Sequence, residues 1–239
     1  MRFKPMWISI MEYKRKEVIG NCTLYLADCM DVMPHLGRVD AVVTDPPYGI
    51  DYGNSGGFSK DSGWIEWKGL AEWDKDRPKK EIFECILKVS NEQIIWGGNY
   101  FADMLPPTMR WLAWDKGQRN FTLADMELAW TNQYKAIRVF TYARGKSVKD
   151  GRFHPTQKPI QLMQWCLSFL PDSKLILDPF MGSGTTGVAC VKEGRSFIGV
   201  ELDEDYFEIA CKRIQDAYDR PDMFIEAEKE EMKQEGFPL

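Results

Sequence analysis

Asp45-Pro46-Pro47-Tyr48 sets a carboxylate, two prolines and an aromatic ring side by side. The prolines lack N–H donors and stiffen the backbone, so their carbonyls stay free as acceptors. A carboxylate and a rigid carbonyl can together hold an –NH2 group, and the tyrosine offers a face on which a planar ring can stack. The tetrapeptide therefore suits an amino group carried on a flat heterocycle. A proline turn with an incidental aspartate has the same composition, and four residues alone do not separate the two readings.

A second constellation lies far downstream. Asp178-Pro179-Phe180-Met181-Gly182-Ser183-Gly184-Thr185-Thr186-Gly187 follows the apolar run 174–177. Glycines let a backbone approach a ligand closely, and the start of a helix favours negative charge. Glu201 ends the next apolar run about 20 residues on, where a carboxylate can accept hydrogen bonds from both hydroxyls of a ribose. The turn departs from GxxxxGK[ST] and so is not a triphosphate loop. Asp178 would repel a pyrophosphate but suits the cationic amino end of S-adenosylmethionine. A capping serine and a solvated Glu201 are the structural alternatives.

Both constellations need strands to carry them. Residues 39–44 read as a buried strand leading into Asp45, and 174–177 as one ending at Asp178. Further strands are predicted at 23–27, 93–96, 110–114, 127–131, 135–142 and 196–200, with a hairpin around Asn132-Gln133. Helices are predicted from Asp31 to the break at Pro34, over 79–89, over 101–105, over 160–170, through Lys192 after the glycine turn, and over 204–218 behind the capping Asp203. Strand and helix alternate, which predicts one doubly wound, Rossmann-like α/β domain spanning 1–239. Its sheet is mostly parallel with an antiparallel end strand. The catalytic half covers about 20–145 and the cofactor half about 153–220. A loop at 49–78, rich in glycine and bearing Phe58, Trp64, Trp67 and Trp73, serves either as a stacking surface or as a lid packed on the domain. The basic stretch 144–152 suits phosphate contacts or a solvated linker.

The chain has 239 residues and a formal net charge of −5, with the acidic tail 221–239 holding much of the negative charge. That balance counts against strong non-specific nucleic-acid binding and leaves room for a local basic groove. Six cysteines are scattered without a CxxC pair, which suits buried thiols in a reducing compartment. His35 and His154 are the two histidines, so no metal site is expected. Residues 1–11 do not read as a signal peptide, and no apolar run reaches membrane-spanning length. A cytoplasmic protein without membrane contact is expected.

Asp45-Pro46-Pro47-Tyr48 together with Asp178-Pro179-Phe180-Met181-Gly182-Ser183-Gly184-Thr185 resembles the amino-group DNA methyltransferases. The order, catalytic motif before cofactor motif, is similar to that of their permuted β group, bacterial or phage-encoded. The resemblance implies that Asp45, Pro46, Pro47 and Tyr48 grip the target amino group. It implies that Asp178, Phe180, Gly182, Ser183, Gly184 and Thr185 hold S-adenosylmethionine, with Glu201 on the ribose and Asp28 and Cys29 at the adenine. His154-Pro155-Thr156-Gln157-Lys158-Pro159 resembles the segment flanking the methionine end, which places His154, Thr156 and Lys158 in the cofactor set. Ala27 stands where the family usually has glycine. Little chain remains for a target-recognition domain, so recognition is expected to be brief or to draw on a dimer partner; a restriction partner is left open. The implied substrate is double-stranded DNA with its adenine flipped out. Cytosine N4 fits the same grip, although a leading aspartate goes more often with adenine. A non-catalytic DNA-binding module of this fold is the alternative of another class. No cysteine follows a proline, which speaks against cytosine-C5 chemistry.

Overall fold

The computed structural model describes residues 10–50, 74–119, 124–143 and 157–220. The loop at 51–73, the basic stretch 144–152, His154, Thr156 and the acidic tail lie outside them. Along the chain the strands are β1 (Arg15–Ile19), β2 (Cys22–Leu26), β3 (Val39–Thr44), β4 (Ser90–Trp96), β5 (Trp111–Asp115), β6 (Met126–Thr131), β7 (Arg138–Thr141), β8 (Leu175–Asp178) and β9 (Ser196–Glu201). The helices are α1 (Cys29–Val32), α2 (Lys80–Val89), α3 (Ile160–Leu167), α4 (Thr185–Lys192) and α5 (Glu204–Asp219). The described strands join one sheet in the order β1-β2-β9-β8-β3-β4-β6-β5-β7.

Alternation along the strands builds two cores. Leu24, Leu26, Ala41, Val43, Ile94 and Trp96 turn to one face and pack under α3, α4 and α5. Tyr25, Val42, Ile95, Leu177 and Val200 turn to the other, under α1 and α2. β3 is covered on both faces and buried at every position but Asp40. α5 begins at Asp203, whose carboxylate accepts the Tyr206 N–H at 3.0 Å.

All strands but β1 and β6 run in one direction. β1 is the antiparallel end strand. β6 slots between β4 and β5, antiparallel to both, and this overturns the expected hairpin at Asn132-Gln133. With both edges of β6 occupied, the chain crosses β5 and adds β7 parallel to its free edge. Asn132 and Gln133 instead tie the start of β4: the Gln93 N–H reaches Asn132 Oδ1 at 3.1 Å and Gln133 Nε2 reaches Glu92 at 2.8 Å. The helix expected at 101–105 is a turn, and a short 3-10 helix at Gly98–Tyr100 precedes it. No described helix is long and apolar enough to cross a membrane.

Candidate active site

β8 and β3 are hydrogen-bonded neighbours, and the chain leaves them in opposite directions, β8 toward β9 and β3 toward β4. Such a reversal opens a crevice at the carboxyl ends of the strands, where α/β sheets bind ligands. Four adjacent strands, β2, β9, β8 and β3, each end on or just before a carboxylate: Asp28, Glu201, Asp178 and Asp45. The sequence motifs, more than a hundred residues apart, meet along this rim.

Asp178 is 2 % exposed and braces the crevice. Its Oδ1 accepts the Thr44 hydroxyl at 2.7 Å and the Phe180 N–H at 3.1 Å, and its Oδ2 accepts the Thr186 hydroxyl at 2.7 Å. The bond from Thr44 joins the two strand ends that carry the two motifs. Burial pushes the Asp178 carboxyl up to about 6, against the pull of its donors. Its oxygens are turned into the protein, a bracing position rather than the ligand-facing one expected of it.

At the end of β3, Asp45 Oδ1 accepts the Tyr48 hydroxyl at 2.6 Å and Oδ2 accepts the Lys158 ammonium at 2.5 Å. Lys158 also lies 2.9 Å from Glu127 Oε2, and Lys116 holds the other Glu127 oxygen at 2.6 Å. The Lys158 side chain is 3 % exposed while that of Asp45 keeps 23 %, so the carboxylate is the member that opens to the cleft. Burial pushes the Asp45 carboxyl up and Lys158 opposes it. Glu127 is held at about 2, the two lysines outweighing its burial. Pro46 is buried and Pro47 half-buried.

Tyr48 is fixed from three sides. Its ring stacks on Tyr100 at 4.8 Å and 16°. The Asp74 carboxylate accepts the Tyr48 and Gly49 N–H groups at 2.6 and 2.9 Å. Gly97, at φ +70°, leaves the ring its space, since a Cβ there would lie 2.1 Å from Tyr48 Cε1. Glycine is the residue that tolerates both the left-handed backbone and this approach.

The glycine turn connects β8 to α4. Gly182 adopts φ +51° and a Cβ on it would meet nothing within 4 Å, so the turn opens onto free space. Its N–H donates to Glu201 Oε2 at 2.8 Å, and Glu201 Oε1 accepts the Leu202 and Asp203 N–H groups at 2.8 Å. Burial raises the Glu201 carboxyl to about 7. Gly184, at φ +78°, presses on Ala210 of α5. Arg213 from the same helix donates to the Ser183 carbonyl at 2.6 Å, the Ser183 hydroxyl at 2.9 Å and the Thr185 hydroxyl at 3.1 Å. Ser183 and Thr185 thus hold the shape of the turn, and Phe180 stays half-buried beside it. Asp28 is exposed and caps α1 through the Met30 N–H at 2.8 Å, whereas the Cys29 side chain points into the core. The open turn at Gly182, with Glu201 beside it, fits the ribose of S-adenosylmethionine.

The sequence reading brought out Asp45, Tyr48, Lys158 and Glu201, but it placed Lys158 with the cofactor rather than on Asp45. It passed over Thr44, Asp74, Gly97, Tyr100, Lys116, Glu127 and Arg213. A carboxylate at the head of the apolar run 128–130 and an arginine between Ala210 and Ile214 were the available signals, since charges in such places are seldom buried without partners.

A family model described as DNA methylase, of the N6/N4 methyltransferase type, matches residues 72–212. The match takes in the glycine turn, Glu201 and Lys158, and begins beyond Tyr48. Among curated relatives, the Type II methyltransferase M2.MboI of Moraxella bovis is 26% identical over 81% of this chain and 87% of its own length. The Type II methyltransferase M2.DpnII of Streptococcus pneumoniae is 27% identical over 74% of this chain and 82% of its own. The solved complex of M1.HpyAVI with SAM superposes with a TM-score of 0.56 at 24% identity, over 81% of this chain and 98% of that one, which shows a common fold.

Proposed function

The chain belongs to the N6/N4 DNA methylase family, and from that premise we propose that it methylates the exocyclic N6 of an adenine flipped out of duplex DNA. Bound S-adenosylmethionine supplies the electrophilic methyl group. The observation that carries the reading is the junction of Asp45 and Tyr48 with the glycine turn across the Thr44–Asp178 bond.

Glu201 and the open Gly182 turn are the groups proposed to hold the ribose, with Asp28 at the base end of the cofactor. Asp45 and the Pro46 carbonyl accept the two N–H bonds of the target amino group. Accepting them draws the nitrogen lone pair out of conjugation with the ring and turns it toward the cofactor cleft. Tyr48, backed by Tyr100, supports the base. Positioning and fixed charges provide the acceleration, and no covalent nucleophile is needed. The nitrogen must also shed a proton, and Asp45 is the base in contact with it.

The permuted motif order supports DNA as the substrate, and the leading aspartate, Asp45, supports adenine over cytosine. The test is incubation of the protein with labelled S-adenosylmethionine and unmethylated amplified DNA, followed by nucleoside digestion. N6-methyldeoxyadenosine is expected. N4-methylcytosine would overturn the choice of base, and absence of label in any nucleoside would overturn the reading.

A further inference from the structure

Both oxygens of Asp45 already carry a donor, the Tyr48 hydroxyl on Oδ1 and the Lys158 ammonium on Oδ2. An arriving amino group needs one of them. Among the described residues the next acceptor for the Tyr48 hydroxyl is Glu127 Oε2 at 3.5 Å. Lys158 has one at hand, because the same Glu127 oxygen lies 2.9 Å from its Nζ. Glu127 is itself held in place by Lys116, itself buried, through its other oxygen. Moving the ammonium wholly onto Glu127 therefore frees Asp45 Oδ2 for the amino group, with the ammonium still on a carboxylate and the Tyr48 hydroxyl still on Asp45 Oδ1.

We propose that Lys158 is a positioning residue that keeps the Asp45 carboxylate ionised and aimed while the site is empty, and yields Oδ2 to the target amino group by shifting onto Glu127. The inference rests on Asp45 being the acceptor of that amino group. The lysine lies against the Tyr48 and Trp96 rings, its nitrogen 5.5 and 5.9 Å from their centroids, so its path is confined to the two carboxylates and the tyrosine hydroxyl. The charged and titratable groups facing Asp45 are Lys158, Glu127 and Tyr48, with Lys116 behind Glu127, Tyr100 behind Tyr48, and Asp178 across the crevice. Among the described residues Lys158 is the cation in direct contact, so it offsets the burial that drives Asp45 toward its neutral form. A neutral Asp45 would keep a proton where the amino group must donate one.

The test compares Lys158→Met, Lys158→Arg and Glu127→Gln with the wild-type chain. Three quantities are read: the pH profile of kcat with labelled S-adenosylmethionine and unmethylated amplified DNA, cofactor affinity by calorimetry, and the Asp45 carboxyl titration by carbon NMR, assigned by its loss in Asp45→Asn. Lys158→Met is expected to move the acid limb and the Asp45 titration up by about one to three pH units, with cofactor affinity unchanged. Lys158→Arg is expected to restore most of that shift while lowering kcat, because its longer fork cannot shuttle between the two carboxylates. Glu127→Gln removes the second carboxylate and is expected to lower kcat/KM for DNA without raising the acid limb. An unmoved Asp45 titration in Lys158→Met, whether accompanied by weaker cofactor binding or by lower thermal stability alone, overturns the proposal. Absence of transfer to DNA by the wild-type chain would instead sink the underlying reading. The NMR arm separates the two failures, because it needs no turnover.

Discussion

Thr44→Val removes one hydroxyl from the centre of the structure and keeps its shape. Thr44 is fully buried, and its hydroxyl donates to Asp178 Oδ1 at 2.7 Å, leaving that carboxylate the Thr186 hydroxyl and the Phe180 N–H as its other donors. A hydrogen bond to an ionised group contributes about 1.5–3 kcal/mol, against about 0.5–1.5 kcal/mol for one between neutral groups. The size of the loss should therefore follow the charge on Asp178. Its carboxyl titrates at about 6 in the fold, above the roughly 3.9 of an unfolded aspartate. The fold thus favours the protonated form, and holding the ionised form costs stability as pH rises through that window. Losing a donor raises the folded value further, so the variant is penalised most above pH 6. The expected loss is about 1.5–3 kcal/mol at pH 8 and roughly half of that at pH 5. At about 2–4 °C per kcal/mol for a chain of this size, the midpoint should fall by about 3–12 °C at pH 8. Thermal unfolding followed by circular dichroism at the two pH values reads this directly. Equal losses at both, or none at pH 8, would refute the bracing role of Asp178.

Gly97→Ala sets a methyl 2.1 Å from the Tyr48 ring at a backbone angle that disfavours it. A shift of the ring by about 1 Å should lower kcat on the order of 100-fold with cofactor affinity unchanged, as steady-state kinetics and calorimetry on one preparation would reveal. Arg213→Met removes the donor shared by Ser183 and Thr185. Cofactor affinity should drop about tenfold or more by calorimetry, with Arg213→Lys recovering only part of it, since all three bonds come from Nη1 at the end of the guanidinium, beyond the reach of the shorter lysine. Unaltered affinity would remove Arg213 from the account.

Much of the frame was legible because burial writes itself into sequence. β8 is a continuous apolar run that stops at a carboxylate, and β3 departs from that pattern at Asp40 and Thr44 before it reaches Asp45, as strands covered on both faces tend to read. The glycine turn was legible because its residues act locally, over one strand end and one helix start. β1 was missed because Arg15, Lys16 and Glu17 give it a solvated character, and its place comes from pairing with β2 rather than from its own composition. The path of β7 depends on β6 already having two neighbours, a property of the whole sheet that no window of residues contains. The charge cluster was missed for a similar reason. Lys158 stands 113 positions from Asp45, and each partner taken singly resembles a surface charge. Only the topology of the sheet sets Lys116, Glu127, Lys158 and Asp45 in one row.

Asp45→Ala separates action on the target amino group from action on the cofactor, with methyl transfer to unmethylated DNA and S-adenosylmethionine affinity measured on the same preparation. Asp45 is expected to act on the target amino group and not on the cofactor, since its oxygens face Tyr48 and Lys158 while the glycine turn and Glu201 form a separate set. Transfer should be abolished with cofactor affinity nearly intact. Retained turnover, or loss of cofactor binding in step with loss of transfer, would contradict it.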